Sequence, residues 1–123
     1  MNNYHRGHFA EFLAQIYLNL HGYRLVFRNF VTGRGTTAGE IDLIMRRGHL
    51  LIFVEIKQRQ SLDTAAYAIS TAQKQRIIRG AQNFLKHNPQ FIGYDMRFDA
   101  VLIKWPWQIC HIKNAWITDL EFK

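Results

Sequence analysis

Two apolar, β-prone runs on either side of a short polar turn constrain this chain most. They are Gly39-Glu40-Ile41-Asp42-Leu43-Ile44 and Phe53-Val54-Glu55-Ile56-Lys57. Glu40–Met45 and Leu50–Lys57 read as strands, and Arg46-Arg47-Gly48-His49 between them reads as a turn, so a β-hairpin is expected. Each strand carries an acid within its apolar run. An ionised carboxylate in such company is costly unless something compensates it.

Side chains alternate along a strand, which puts Leu51, Phe53, Glu55 and Lys57 on one face and Glu40, Asp42 and Ile44 on one face of the other strand. In one hairpin register Asp42 faces Glu55. In the register shifted by two, Glu40 faces Glu55 and Asp42 lies on the diagonal, about 7–8 Å away. Either register leaves Asp42 and Glu55 within reach of a shared cation. Mg²⁺ or Mn²⁺, as one ion or two, suits hard oxygen ligands and would relieve the repulsion between two neighbouring acids. Such an ion could bind a scissile phosphate and acidify a water. Lys57, on the same face, could position that water or stabilise charge at phosphorus. The ordinary alternative is a surface ladder in which Glu55 pairs with Lys57 or an arginine and Asp42 is solvated. Glu40 is either a second ligand or a salt-bridge partner, and a supporting role is expected.

The other elements follow from periodicity. Helical spacing runs over residues 5–21, with Phe9, Leu13, Ile16, Tyr17 and Leu20 on one stripe and Gly7, Glu11, Ala14 and Leu18 on a second. Tyr23–Phe30 reads as a strand and Val31–Ala38 as a loop. A second helix is expected over 71–87, with Ser70 as N-cap and Gln73 completing a capping box, and Asn88-Pro89 ends it. Met96–Lys104 and Gln108–Lys113 read as two further strands. The stretch between the Leu50 and Met96 strands is long enough for a parallel crossover. The expectation is an α/β fold in the order α-β-β-β-α-β-β, with a mixed sheet and helices against it, forming one domain over residues 1–123.

Sixteen Lys and Arg against nine Asp and Glu leave a formal charge of +7, which suits a polyanionic partner such as DNA or RNA. Arg34, Arg46, Arg47, Arg59, Arg76 and Arg79 could track a phosphate backbone, although each singly reads as a solvated charge. Trp105, Trp107 and Trp116 read as core or interface residues before they read as base-stacking ones. The single cysteine, Cys110, excludes an internal disulfide and a cysteine metal cluster. Asp99 reads as a locally bonded residue and His111 as a satisfied strand histidine. No run of about 18 apolar residues exists. Met1–Arg6 has no apolar signal core. A cytoplasmic location without membrane contact is therefore expected.

The segments Arg6-Gly7-His8-Phe9-Ala10-Glu11, His21-Gly22-Tyr23-Arg24-Leu25, Arg28-Asn29, the two acidic runs, Lys74-Gln75-Arg76, Arg97-Phe98-Asp99 and His111-Ile112-Lys113-Asn114-Ala115 occur together in order. Through them the chain resembles the YraN-like bacterial proteins of the PD-(D/E)xK restriction-endonuclease-like superfamily. The layout with Glu11 on the first helix is similar to that of archaeal Holliday-junction resolvases. The resemblance implies a three-layer α/β/α nuclease fold. It implies Asp42 as the metal-binding aspartate, Glu55 and Lys57 as the ExK pair, Glu11 as an outer or water-mediated ligand, and the Ile56 backbone carbonyl as an additional ligand. It also implies phosphate contacts at Gln73 and Lys74, which sequence alone reads as capping or solvent residues. The chain departs from the pattern at Arg34–Ala38, which read as an insertion, and at Gln58-Arg59-Gln60, where the family often has Lys-Thr-Arg.

The expected activity is metal-dependent phosphodiester hydrolysis on DNA, on branched or recombination intermediates. Resolvase-like cutting of two strands would favour a homodimer. The rival readings are a non-catalytic nucleic-acid-binding module with a nuclease-like fold and a protein-interaction adaptor.

Overall fold

A computed structural model describes residues 3–33, 38–58, 69–104 and 108–115. Helix α1 (Asn3–Leu20) leads into three strands, β1 (Arg24–Thr32), β2 (Gly39–Arg47) and β3 (Leu50–Gln58). Helix α2 (Thr71–His87), a 3-10 turn at Pro89–Phe91, β4 (Asp95–Lys104) and β5 (Gln108–Ile112) follow. The strands form one sheet in sequence order, antiparallel except for β3 and β4, which run parallel. The expected element order and crossover are both present. Arg34, Arg59, Trp105, Trp107 and Trp116 lie outside the described residues.

The sheet is covered on both faces, which explains why β2 and β3 read as nearly continuous apolar runs. Leu43, Met45, Ile52, Val54, Val101 and Ile103 pack with Ala10, Ala14 and Leu18 of α1. Ile41, Ile44, Leu51, Phe53, Phe98 and Ala100 pack with Ile77, Ala81, Phe84 and Leu85 of α2. Each wholly buried aliphatic or aromatic chain here contributes roughly 1.5–3 kcal/mol. The start of α2 follows the capping expectation: Gln73 N–H donates to Ser70 Oγ at 3.1 Å, and Ser70 N–H donates to Gln73 Oε1 at 3.2 Å.

Helix α1 buries the stripe of Ala14 and Leu18 fully and the bulkier stripe only in part. Its buried line is Ala10, Ala14 and Leu18, whereas Ile16 and Leu20 are exposed, Leu20 by 80%. The small side chains at 10 and 14 let the helix lie close to the sheet, so that Leu13 and Tyr17 of the bulkier stripe reach the core only in part. Edge strand β1 also exposes Leu25, Phe27 and Val31.

Helix α2 approaches β2 most closely at two glycines. A Cβ at Gly39 would lie 2.6 Å from the Gly80 nitrogen, and a Cβ at Gly80 would lie 3.0 Å from Ile41 Cγ1. Backbone rather than a flexible side chain blocks the first position. Gly39→Ala is therefore expected to push α2 off β2 and cost about 1–3 kcal/mol, read as a lowered urea midpoint with an unchanged slope.

Candidate functional site

Strands β2 and β3 pair from Arg47↔Leu50 to Leu43↔Val54, and their ladder stops there. Carried one step further, this register sets Asp42 opposite Glu55, the first of the two expected arrangements. In place of the next ladder bond, the Ile56 N–H donates to Asp42 Oδ2 at 2.8 Å. The N–H and C=O of a strand residue leave on the same edge, so the Ile56 carbonyl also faces β2. Strand β3 stays paired with β4 through Gln58, so it keeps its course while β2 departs. The two strands part where the two acids stand.

Strict alternation breaks in β1 and β2 at this level. Ile41 and Ile44, an odd number of residues apart, both pack towards α2. In β1, Phe27 and Phe30 meet edge to face at 5.4 Å, and Phe30 meets Phe84 of α2 at the same distance. Between them Asn29 takes a left-handed backbone, φ 54°. Its neighbours pair as Arg28↔Leu43 and Phe30↔Ile41, which brackets Asn29 against Asp42. Asparagine tolerates this conformation better than most residues. Its side-chain amide donates to Glu11 Oε2 of α1 at 3.3 Å. Sequence reasoning assigned Asn29 no role. The available signal was an Arg-Asn pair interrupting an otherwise apolar strand.

The carboxyls are electrostatically stressed. Burial, followed by the charge of Glu55, raises Asp42 from 3.8 to about 7; the Ile56 N–H opposes this, and Glu11 and Glu40 add to it. Burial also raises Glu55, against the hydrogen bond and charge of Lys57, while Glu40 raises it further and Arg76 lowers it. Lys57 Nζ sits 3.0 Å from Glu55 Oε1, with both side chains largely buried. This is the Glu55–Lys57 pairing of the ordinary alternative, but Asp42 is half-buried beside a second acid rather than freely solvated. Among the described residues, no three His, Cys, Asp or Glu side chains converge as a metal cage.

The remaining sequence candidates separate by position. Glu40 is exposed, and its charge acts on both acids. Gln73 is engaged in the α2 cap, and the Lys74 N–H bonds to the Ser70 carbonyl in the same turn. Arg76 acts on Glu55 from α2. Arg79 Nε donates to the Ala38 carbonyl at 3.0 Å, so it holds the chain entering β2. Arg46 and Arg47 stand at the turn end of the hairpin, away from the acids. Arg47 donates to the His21 carbonyl at 3.2 Å and lies 4.3 Å over the Tyr23 ring. The structure gives Arg47 and Arg79 protein partners and does not gather them with Arg46 at the acids.

The model of the uncharacterised protein family UPF0102 matches residues 10–103. A UPF0102 protein of Paramagnetospirillum magneticum, amb4503, is 44% identical over 93% of this chain and 88% of its own length. The chain belongs to UPF0102. Another UPF0102 protein, from Nitrobacter winogradskyi, is 48% identical over 81% of each chain. The YraN-like resemblance points to this same family. Among solved structures, Hjc of Archaeoglobus fulgidus, a Holliday junction resolvase, matches with a TM-score of 0.52 at 14% identity. The match covers 84% of this chain and 72% of that one. The UPF0102 chain thus has the three-layer, restriction-endonuclease-like architecture. Among its described residues no helix is long and apolar enough to cross a membrane.

Proposed function

We propose that this UPF0102 protein is a Mg²⁺- or Mn²⁺-dependent phosphodiesterase that cuts DNA, with branched or recombination intermediates as its substrates. The observation that carries the reading is the parting of β2 from β3 at two mutually stressed acids, with a lysine on one of them. Support comes also from the +7 charge and from the fold shared with a Holliday junction resolvase. The donor set fits a hard cation. Asp42, Glu55 and the Ile56 carbonyl are oxygen donors, and Mg²⁺ habitually completes few protein ligands with water. When bound, the ion would neutralise both acids, polarise a phosphodiester and acidify a water.

The chain's own residues do the rest. The Ile56 N–H fixes Asp42 through Oδ2. Glu55 holds the Lys57 ammonium, which orients the attacking water and offsets charge developing on the phosphate oxygens. Asn29 holds Glu11 at the edge of the same site. Lys74 and Arg76, in the first turns of α2, supply positive charge for the DNA backbone.

Fluorescent duplex, flap and four-way DNA incubated with Mg²⁺, Mn²⁺ or EDTA test the reading. Cleavage is expected with either metal and none in EDTA. A protein that binds Mn²⁺ yet cuts none of the three would sink it. Because Asp42 ionises only near pH 7, protons compete with the ion below that point. Mn²⁺ affinity measured by calorimetry should rise about tenfold per pH unit between pH 5.5 and 6.5 and flatten above pH 7.5. A flat profile across this range would separate Asp42 from the metal.

A further inference from the structure

Beside Glu11 the surface sinks into a pocket of about 400 Å³ between α1 and β1. Its lining includes Glu11, Phe12, Gln15, Arg28 and Asn29. Three of its features point to one class of ligand. Phe12 stands on the outer side of α1 with 60% of its surface exposed, an aromatic face that no core contact requires. Such a ring is a stacking platform for a base of any identity. Gln15 and Asn29 present amides that can both donate to and accept from base edges. Arg28 brings a guanidinium suited to phosphate.

Size narrows the choice. A volume near the lower end of the range for small-ligand sites admits about one nucleotide and cannot admit a duplex. Position narrows it further. Glu11 lies in the lining, and its charge is felt by Asp42, so the pocket opens beside the candidate metal site. Asn29 belongs to both places, since it lines the pocket, holds Glu11 and is bracketed against Asp42 through its neighbours' pairing. A base stacked within a helix has no face free for Phe12; one displaced from the stack has.

We propose that the α1–β1 pocket receives a single unstacked nucleotide of the DNA strand, its base on Phe12 and its phosphate at Arg28. The proposal rests on the DNA-cleavage reading and specifies its substrate: DNA that offers an unpaired nucleotide at a branch, flap or mismatch. Fully paired duplex leaves the pocket empty and binds through its backbone alone.

The test measures binding by fluorescence anisotropy with Ca²⁺ in place of Mg²⁺, so that no strand is cut. Three oligonucleotides of one sequence serve as probes: a paired duplex, the same duplex with a one-nucleotide flap, and that flap made abasic. The base-bearing flap is expected to bind about tenfold more tightly than the abasic one, the effect of one stacked base. Phe12→Ala should erase this preference and Phe12→Tyr should keep it. The exposed ring makes both variants safe for folding, and circular dichroism checks this. Equal binding of the base-bearing and abasic flaps by the unmodified protein, or a preference that survives Phe12→Ala, overturns the proposal. A base preference without cleavage in Mn²⁺ upholds the pocket and overturns the phosphodiesterase reading. Cleavage without a base preference does the reverse, and no binding of any probe overturns both.

Discussion

The Asp42→Asn protein is expected to be more stable than the parent at pH 8 in EDTA and unable to cleave DNA. Both effects have one cause. The Asp42 carboxyl has a folded-state pKa of about 7 against an ordinary value of 3.8, chiefly through burial and the charge of Glu55. A raised carboxyl pKa means that the folded state holds its proton more tightly than the unfolded state. Ionisation therefore opposes folding: the cost begins above pH 4, grows to about pH 7 and is constant beyond. The gap between the two values sets a ceiling of about 4 kcal/mol. Asp42 is only half-buried and Glu55 shares the repulsion, so about 2 kcal/mol is expected, or on the order of 5–10 °C in Tm. The gain should shrink towards zero as the pH is lowered to 4. An asparagine can still accept the Ile56 N–H, so the local backbone should hold. Cleavage should fall at least about a thousandfold, because a held ion supplies several kcal/mol of charge stabilisation at the phosphate. Thermal unfolding at pH 4.5 and 8 beside a cleavage assay reads both. A variant less stable than the parent at pH 8 would show that Asp42 supports the fold and is not strained within it.

Asp99→Ala should have the opposite signature: a large loss of stability with no direct chemical role. Asp99 is wholly buried in β4 and is satisfied on every side. Arg97 grips both its oxygens at 2.7 Å, His111 Nε2 lies 2.8 Å from Oδ2, and the Asn114 N–H donates to Oδ1 at 3.0 Å. The same guanidinium donates to the Tyr23 hydroxyl at 2.8 Å, which ties the segment after α1 to β4 and β5. Burial pushes the Asp99 carboxyl up, but the bonds from His111, Arg97 and Asn114 outweigh it and hold the group below its usual range. Removing the carboxylate strands a partly buried guanidinium and leaves an N–H without its acceptor. The cost should be about 3–5 kcal/mol. Domains of this size hold only about 5–15 kcal/mol in total, and Tm should fall on the order of 15 °C. Asp99→Asn, which retains one acceptor oxygen, should lose less. The parent's share of stability from Asp99 is complete above pH 4 and is lost as pH falls through its depressed folded value. Acid unfolding and the Asp42 strain therefore act in separate pH windows. Loss of cleavage with Tm unchanged in the Asp99→Ala protein would reverse this assignment.

Much of the fold was legible because it rests on local periodicity. The helix 71–87, its capping box, the hairpin and the parallel crossover each follow from spacing, turn chemistry or segment length, which a chain displays without its partners. Helix α1 was legible as a helix, but its deepest side was not. Its apolar residues cover much of its circumference, and the close fit of Ala10 and Ala14 to the sheet, not the bulk of a stripe, decides which side is buried most deeply. The close approach of Gly39 to Gly80 likewise joins residues far apart in the chain and leaves no local mark beyond two glycines.

For the candidate site, the residue pattern alone put Glu55 and Lys57 on one strand face and narrowed the hairpin to two registers, since both follow from strand alternation and turn position. Which register forms, and that β2 leaves β3 one step after Leu43↔Val54, depended on forces from outside the hairpin. The contacts concerned are the close approach of Gly80 of α2 to Gly39, the left-handed Asn29 in β1, and the pairing of β3 with β4 through Gln58. They act between elements distant in sequence, so only packing in three dimensions could turn two acids in apolar runs into a stressed pair at the mouth of a splitting ladder.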